Sequence, residues 1–149
     1  MKISTKGRYA VRCMLNLAIN QEVDSIPISR IAKQEDISPN YIEQLFLQLK
    51  NKGLVQSQRG RGGGYRLAKK PSRIPVSEII EEVEGPIVTV SCIENGECDR
   101  YDICTTKYLW EILSNKIKEI LDETTLQDLC EIARDKIGGD IKHKLTFNI

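Results

Sequence analysis

Residues 38–53 carry the clearest helix signal in the chain. Ser38 can accept a hydrogen bond as an N-cap, and Pro39 suits the first helical position. The apolar residues that follow recur at i, i+3, i+4 and i+7, which is the spacing of one buried helix face. They are Ile42, Leu45, Phe46 and Leu49. Because Gly53 can adopt the left-handed conformation that ends a helix, we predict a helix over residues 39–52.

The neighbouring segments complete a characteristic order. We expect a largely buried helix over 5–19, a short edge strand at 26–28, a helix over 30–36 capped by Ser29, and two strands at 54–58 and 65–69. Helix, strand, helix, turn, helix and hairpin is the order of a winged helix, and two helices joined by a short turn form a helix-turn-helix. The sequence therefore predicts a mainly helical fold with a small β-hairpin wing.

The C-terminal half contains one long amphipathic helix. We expect a connector at 70–75, a short helix over 77–83, a polar loop over 91–106, helices over 107–122 and 125–137, and a tail. The apolar stripe of the 107–122 helix consists of Leu109, Ile112, Leu113, Ile117, Ile120 and Leu121. The stripe could be core within the chain. Since so small a chain has little else to cover it, we predict instead that the long helix is a dimerisation element and forms the seam of a homodimer.

Positive charge is concentrated in the N-terminal half, although the net charge is only +1. Residues 1–75 contain 14 Lys and Arg against 5 Asp and Glu, whereas residues 76–149 contain 8 against 16. Such asymmetry suggests that one half binds a polyanion, and two solvated faces of opposite charge are the alternative. We predict a DNA-binding domain over 1–75, a short helix and cysteine-bearing loop over 76–106, dimerisation and C-terminal helices over 107–137, and a tail over 138–149.

Several function classes are not expected. No run of about 18 apolar residues is present, so no membrane span is predicted. The opening residues lack an uninterrupted apolar core and a small-residue cleavage site, which argues against a secretory signal and favours the cytoplasm. The one histidine, His143, lies in the polar tail and is expected to face solvent. Without a nucleophile motif or a second histidine there is no catalytic constellation, so we do not expect an enzyme.

The side of the 39–52 helix opposite its apolar stripe offers side chains suited to double-stranded DNA. Near the N-terminus these are Ser38, Asn40, Tyr41, Glu43 and Gln44. Gln can bond an adenine edge, Glu can accept from cytosine N4, and Tyr or Asn can reach a phosphate. The backbone at a helix N-terminus also favours a phosphate. An ordinary solvated helix face is the alternative.

The predicted wing carries two arginines on a glycine-rich loop, residues 59–64. Glycines permit close approach of the backbone, and the negative potential of a narrow minor groove attracts arginines. We therefore predict DNA contacts from Arg59, Gly60 and Arg61. A glycine-rich loop can instead bind a nucleotide phosphate, but this loop matches neither the P-loop nor the dinucleotide-binding pattern, and it lies between strands.

Three cysteines are evenly spaced in the predicted polar loop: Cys92, Cys98 and Cys104. Acidic residues surround them, and negative neighbours in general disfavour a free thiolate, whereas a bound cation deprotonates thiols outright. The pattern therefore favours a metal or cluster over a bare thiol switch or three scattered thiols. Three thiolates plus one further ligand suit structural zinc and an iron–sulfur cluster equally. Cys13 and Cys130 lie in apolar helices and are predicted to be packed thiols.

These motifs together resemble one family. The opening KISTKGRYAV, the helix SPNYIEQLFLQLKNKGLV, the wing RGRGGGYRL and the three cysteines are similar to small bacterial winged-helix regulators. That family includes the iron–sulfur regulator IscR, the nitric-oxide sensor NsrR and the cysteine-metabolism regulator CymR. The similarity covers about residues 1–125. It implies a DNA-binding homodimer, paired through the 107–122 helix, that usually represses transcription.

The resemblance also implies a cofactor. In IscR-like proteins three cysteines hold a 2Fe–2S cluster, which carries over to Cys92, Cys98 and Cys104, and cluster state alters which DNA sites are bound. A glutamate that matches Glu43 takes part in DNA discrimination. A zinc-stabilised DNA-binding module without sensing is the alternative to an iron–sulfur sensor.

The fourth ligand of such a cluster is not evident. IscR-like proteins place a histidine three residues after the last cysteine, where this chain has Lys107. NsrR-like proteins use an aspartate from the first helix of the other subunit, where this chain has Arg8. Deprotonated Lys107, a loop carboxylate and solvent remain as candidates.

The final residues, LTFNI, resemble the ending of CymR-like proteins and of serine acetyltransferases, whose C-terminal isoleucine docks in the active site of cysteine synthase. The resemblance implies cysteine synthase as a further partner through Ile149, and a regulator of cysteine metabolism as an alternative function. A free carboxylate can bind in a backbone nest while the isoleucine fills a pocket. The alternative is an unbound terminus.

Overall fold

The structure, a computed structural model, describes residues 2–137. The helices in this range are α1 (Thr5–Ile19), α2 (Ile28–Glu35), α3 (Pro39–Asn51), α4 (Val76–Glu84), α5 (Ser91–Asn95), α6 (Lys107–Glu123) and α7 (Leu126–Ile137). The strands are β1 (Val55–Gln58) and β2 (Gly64–Leu67), and single 3-10 turns occupy Pro71–Arg73 and Tyr101–Ile103. The predicted mainly helical fold with one small hairpin is confirmed.

Helix α3 forms where the sequence predicts it. Ser38 Oγ accepts a hydrogen bond from Tyr41 N at 3.3 Å, and Pro39 lies in the first turn. The residues of the predicted apolar stripe are at most 1% exposed. Gly53 N donates to Lys50 O at 2.9 Å, and Gly53 has a φ of 79°, so a left-handed glycine ends the helix as expected.

The region before α2 differs from the prediction. Only Ile26 pairs with β2, through an isolated bridge, and Ile28 already belongs to α2. The strand predicted at 26–28 is therefore wrong beyond its first residue. Ser29 is not the N-cap either, because Pro27 holds that position without a side-chain hydrogen bond. Pro27 has no N–H to extend a ladder, and its φ of −62° leads directly into the helix.

Strands β1 and β2 form an antiparallel hairpin that is fastened to the helices at its base. The register pairs Val55 with Leu67, Gln56 with Arg66, Ser57 with Tyr65 and Gln58 with Gly64. Ile26 N donates to Tyr65 O at 2.9 Å, and Ser25 Oγ donates to Gly62 O at 2.6 Å. A β-carbon on Gly64 would lie 2.1 Å from Ile26 O, so the close approach of the two backbones requires glycine there.

One hydrophobic core joins the N-terminal helices to α4 and α7. Residues from α1, α3, α4 and α7 that are at most 2% exposed include Met14, Phe46, Ile79, Leu126 and Cys130. Two backbone hydrogen bonds hold the same elements together. Val76 N donates to Thr124 O at 2.8 Å, and Leu126 N donates to Ile74 O at 3.0 Å. Packing is therefore continuous across residue 75, where the sequence predicts a functional boundary.

A second, smaller cluster packs α6 against α4. Val76, Ile80 and Ile87 are buried in it, and Ile117 and Leu121 of α6 are partly buried against them.

Among the helices of the described chain, none combines the length and apolar character that a membrane crossing requires.

The segment predicted as a polar loop over 91–106 is partly helical. It contains α5 and the 3-10 turn at Tyr101–Ile103. Gly96, with a φ of 68°, donates its N–H to Cys92 O at 3.1 Å and so ends α5 with a left-handed residue. Five residues are too few to show helical periodicity in a sequence, which explains why the prediction missed this helix.

Candidate nucleic-acid interface and cysteine segment

The exposed face of α3 brings together most of the predicted DNA-contacting side chains. Ser38, Asn40, Glu43 and Gln44 are exposed. Tyr41 is half-buried, with its ring edge-on to Tyr9 at a centroid distance of 5.9 Å and an interplanar angle of 89°. Because the Ser38 hydroxyl caps the helix, Ser38 and Tyr41 mainly position α3, whereas Asn40, Glu43 and Gln44 are free to contact a ligand.

Leu47 lies on the same exposed face and was not among the predicted site residues. Its exposed fraction is 58%, although it is a large apolar side chain in the middle of a helix. Leu47 follows Glu43 by four residues and Gln44 by three, which is the spacing of neighbours on one helix face. The signal was present in the sequence, since Leu47 is the apolar residue of α3 that does not fit the buried stripe.

The wing presents its two arginines to solvent. Arg59 and Arg61 are exposed, and neither forms an ion pair with any residue of the 2–137 range. Gly60 and Gly62 have φ values of 96° and 75°, and Gly63 N donates to Gly60 O at 2.9 Å across the turn. Glycine is the residue that adopts such φ values readily, so the loop can turn tightly and leave both guanidinium groups uncovered.

A short turn sets α3 against α2. Asp36 adopts the left-handed conformation, with a φ of 54°, and Ile37 enters the core with 6% exposure. The end of α2 is tied to α1 through Glu35, which accepts from Arg12 Nε at 3.2 Å and from Asn16 Nδ2 at 2.8 Å. These contacts hold the two helices and the turn as one unit on α1.

The N-terminus of α1 is capped by a carboxylate of α4. Glu84 Oε1 accepts from Ser4 N at 2.9 Å, Ser4 Oγ at 2.6 Å and Gly7 N at 2.9 Å. A β-carbon on Gly7 would lie 2.1 Å from the same oxygen, so glycine leaves room for the carboxylate. Negative charge at a helix N-terminus is favourable, and this contact joins the first helix to the helix that precedes the cysteines.

The three predicted ligands lie along one segment between α4 and α6. Cys92 belongs to α5, Cys98 follows it and Cys104 stands just before α6. All three are free thiols, with Cys98 exposed and the other two partly exposed. Their donor chemistry fits zinc or an iron–sulfur cluster. Within residues 2–137, however, no three or more Cys, His, Asp or Glu side chains are arranged to hold a metal ion. The segment carries the donors without assembling them into a site.

Lys107 packs against two tyrosine rings. Its Nζ lies 4.1 Å from the ring centroid of Tyr101 and 5.6 Å from that of Tyr108, which are cation–π distances. Among residues 2–137 no further donor is arranged with the three thiols. Close by, the Thr106 hydroxyl beside the thiol lowers the pKa of Cys104.

The start of the cysteine segment is fastened to α6. Thr89 N donates to Ser114 Oγ at 2.9 Å, and Thr89 Oγ1 donates to Trp110 O at 3.1 Å. Ser114 is only 4% exposed and also donates to Trp110 O, at 2.8 Å. These bonds satisfy the buried hydroxyl and fix the chain at Thr89 to the middle of α6.

The outer face of α6 is apolar and is not covered by any other part of residues 2–137. Its large apolar residues with exposed fractions of 40–60% are Tyr108, Leu109, Ile112, Leu113 and Ile120. The predicted stripe is therefore divided. Ile117 and Leu121 pack inside the chain, while the other four members remain exposed.

The two remaining cysteines are packed, as predicted. Cys13 is 0% and Cys130 2% exposed. Burial raises the pKa of Cys13 to about 12 and also raises the pKa of Cys130. His143 and Ile149 lie outside the described residues.

A helical unit with a short turn, an exposed polar helix face and a basic hairpin attached to that helix define the class of winged helix-turn-helix DNA-binding proteins. Lys50 Nζ donates to Ser57 Oγ at 2.7 Å and so links α3 directly to the hairpin. The model of the Rrf2 family, described as an iron-dependent transcriptional regulator, matches residues 3–132. The chain belongs to the Rrf2 family.

Similar proteins agree with this assignment. The chain is 42% identical over 129 residues to the HTH-type transcriptional regulator IscR of Escherichia coli strain K12 / DH10B, covering 87% of this chain and 80% of that protein. The structure of CymR, the global cysteine regulator of B. subtilis, matches with a TM-score of 0.74 and 39% identity, over 88% of this chain and 97% of that one. T. potens IscR matches with a TM-score of 0.73 and 36% identity, over 91% and 90%. The predicted family and winged-helix fold class are confirmed, and DNA-binding transcription regulation is the general function.

Proposed function

We propose that the chain is a homodimeric, sequence-specific repressor in the cytoplasm, whose DNA binding responds to iron–sulfur or sulfur status. The observation that carries the proposal is the exposed polar face of α3 linked to a wing whose arginines have no ion-pair partner among residues 2–137. Guanidinium groups left uncovered in this way are available to phosphates and to a narrow minor groove.

Each part of this surface has a proposed role. Asn40, Glu43 and Gln44 contact base edges and phosphates in the major groove, and Arg59 and Arg61 supply groove and phosphate affinity. Gly60 allows the close approach of the wing. The roles of Ser38 and Tyr41 combine helix positioning with phosphate contact, since the backbone at the start of α3 also favours an anion.

Cys92, Cys98 and Cys104 are the proposed ligands of a 2Fe–2S cluster, with zinc as the alternative occupant. Support comes from three accessible thiols on one segment, from the resemblance to IscR-like proteins and from the iron-dependent description of the family. When bound, such a cluster supplies a redox centre whose potential depends on net charge, hydrogen bonds to sulfur and solvent exposure. The chain itself supplies the thiolates and anchors the segment to α6 through Thr89.

A second copy of the chain is the proposed cover for the outer face of α6. Contiguous exposed apolar faces mark interaction sites on soluble proteins. An isologous contact between two α6 helices would bury the same residues on both copies. Two reading helices related by a two-fold axis then match the two half-sites of an operator.

The proposal is tested by anaerobic purification followed by a visible spectrum and by iron, sulfide and zinc counts. We expect iron and sulfide in equal amounts and a coloured protein. Serine at Cys92, Cys98 or Cys104 should abolish the colour, while the control Cys130→Ala, a packed thiol, should retain it. Zinc without iron would favour the zinc-stabilised module, and a colourless protein without either metal would end the metal proposal.

Cysteine synthase is a proposed further partner, as in a regulator of cysteine metabolism. Support comes from the similarity to CymR, which is described as a global cysteine regulator, and from the LTFNI ending. Co-purification of cysteine synthase with the full chain should be lost when Ile149 is deleted. Equal recovery with both forms would reject this partner.

A further inference from the structure

We propose that Leu47 determines DNA specificity by contacting the C5-methyl group of a thymine in the major groove. The inference rests on the proposed function, because it takes α3 as the helix that enters the groove. It adds an apolar contact to a surface for which only polar contacts were predicted.

Leu47 lies on the same face of α3 as Asn40, Glu43 and Gln44. Successive residues of an α-helix are rotated by about 100°, so Leu47 projects within about 20° of Asn40 and between Glu43 and Gln44 around the helix axis. It lies about 10 Å along the axis from Asn40, a distance that corresponds to about three base-pair steps. Leu47 therefore occupies the middle of the face that meets the bases.

Leu47 is also far more exposed than the other aliphatic residues of α3. The other large aliphatic side chains of α3 are at most 1% exposed, whereas Leu47 is 58% exposed among polar neighbours. The shallow groove beside it is lined by Lys6, Tyr41, Gln44, Leu45 and Gln48. Leu45 is 1% exposed and belongs to the core, so Leu47 is the exposed aliphatic side chain of this groove. An apolar side chain in this place gains free energy only when a ligand covers it.

Base chemistry identifies the ligand. In the major groove the edges of G, C and A present hydrogen-bond donors and acceptors, while T also presents an apolar methyl group. A leucine side chain cannot donate or accept a hydrogen bond, so it cannot engage phosphates or the polar edges. Thymine is thus the base whose edge Leu47 complements, and cytosine, which lacks the methyl group, is discriminated against at the same position.

The experiment uses the full-length protein and a duplex selected by it from a random library. Each thymine of one half-site is replaced in turn by deoxyuridine, which removes only the methyl group. For the wild-type protein we expect binding about fourfold weaker at one thymine position in each half-site, the effect of burying one methyl-sized apolar group. Leu47→Ala should bind the thymine and uracil duplexes equally, and Leu47→Met should restore the difference.

The variants also separate this inference from the proposed function. Leu47→Ala should leave thermal unfolding and the salt dependence of binding unchanged, because the side chain is exposed and uncharged. A selected half-site without thymine, no deoxyuridine effect on the wild type, or an effect retained by Leu47→Ala would each overturn the inference. If Glu43→Ala and Gln44→Ala change the sequence preference, α3 is still the recognition helix even where the Leu47 inference is rejected. If neither variant changes the preference, both the Leu47 inference and the proposed role of α3 are rejected.

Discussion

Arg59 and Arg61 of the wing contribute through charge, so their effect should depend on salt. Each phosphate contact that a protein neutralises adds about 0.9 to the slope of log affinity against log salt. We expect the double variant Arg59→Ala, Arg61→Ala to bind the selected duplex more weakly and with a slope reduced by about 1 to 2, measured by fluorescence anisotropy over a salt series. The control Arg134→Ala removes an exposed cation from α7 and should change neither quantity. An unchanged slope in the wing variant would contradict the predicted role of both arginines.

The carboxylate of Glu84 and the missing side chain of Gly7 are expected to be coupled. Glu84→Ala removes the shared acceptor at the N-terminus of α1 and should cost about 1 kcal/mol in the free energy of unfolding. Gly7→Ala alone should cost a similar amount, because its β-carbon displaces the same oxygen. Once Glu84 is alanine, Gly7→Ala should become neutral or stabilising, since alanine favours helices more than glycine does. Urea unfolding of the four proteins measures the coupling, and strictly additive effects would contradict it.

The two buried thiols, Cys13 and Cys130, should not react with thiol reagents in the folded protein. In metal-free protein at pH 8, a thiol reagent should label the three cysteines of the segment, and all five only after unfolding. Burial raises the pKa of Cys13 from 9.0 to about 12, so the folded state holds this proton more tightly than the unfolded state. The corresponding stability is complete below pH 9 and is lost as the pH rises toward 12. Rapid labelling of four or more thiols in the folded protein would show that Cys13 or Cys130 is accessible to solvent and not buried.

At the scale of the element, the outer face of α6 has to be covered for the protein to be stable as a dimer. Ile112→Lys places a charge on this face and should convert a dimer into a monomer, measured by light scattering after gel filtration. The control Gln21→Lys also adds one positive charge, but at an exposed position outside α6, and should remain dimeric. A wild-type protein that is monomeric at micromolar concentration would refute the dimer, whatever the variants do.

The long helices, the short helix α4 and the hairpin were predictable from the sequence, whereas the start of α2 and the short helix α5 were not. Helices α1, α3 and α6 follow the predicted ranges within one residue, because Ser38, Gly53 and the repeated apolar positions specify them locally. The start of α2 and the whole of α5 depend on backbone features of Pro27 and Gly96 that leave little periodic signal.

The candidate site was only partly predictable for the same reason. Asn40, Glu43, Gln44 and the wing arginines lie where local patterns place them. Leu47 was missed although it falls outside the predicted apolar stripe, because a single exposed leucine does not by itself indicate a binding residue. The carboxylate of Glu84 reaches Gly7 across 77 residues, a separation that single-sequence patterns do not link.

At the scale of the whole molecule, a two-fold dimer predicts the symmetry of its operator. The selected duplex should contain two inverted half-sites whose centres are about 10 base pairs apart, or a multiple of that distance. Inserting 5 base pairs between them rotates one half-site by half a helical turn and should reduce affinity to that for a single half-site. The monomeric Ile112→Lys variant should be indifferent to the insertion. Equal binding of both duplexes by the wild-type protein would exclude a rigid two-fold symmetric dimer that binds both half-sites at once.

The hydrophobic core that crosses residue 75 has a consequence for how this protein can be cut or recombined. A fragment ending there would leave the sides of α1 and α3 that contact Ile79, Leu126 and Cys130 facing water. Such a fragment would expose apolar surface that is buried in the full chain, and it would aggregate or unfold. Residues 1–75 therefore cannot simply be detached and fused to an unrelated domain, because their core requires α4 and α7.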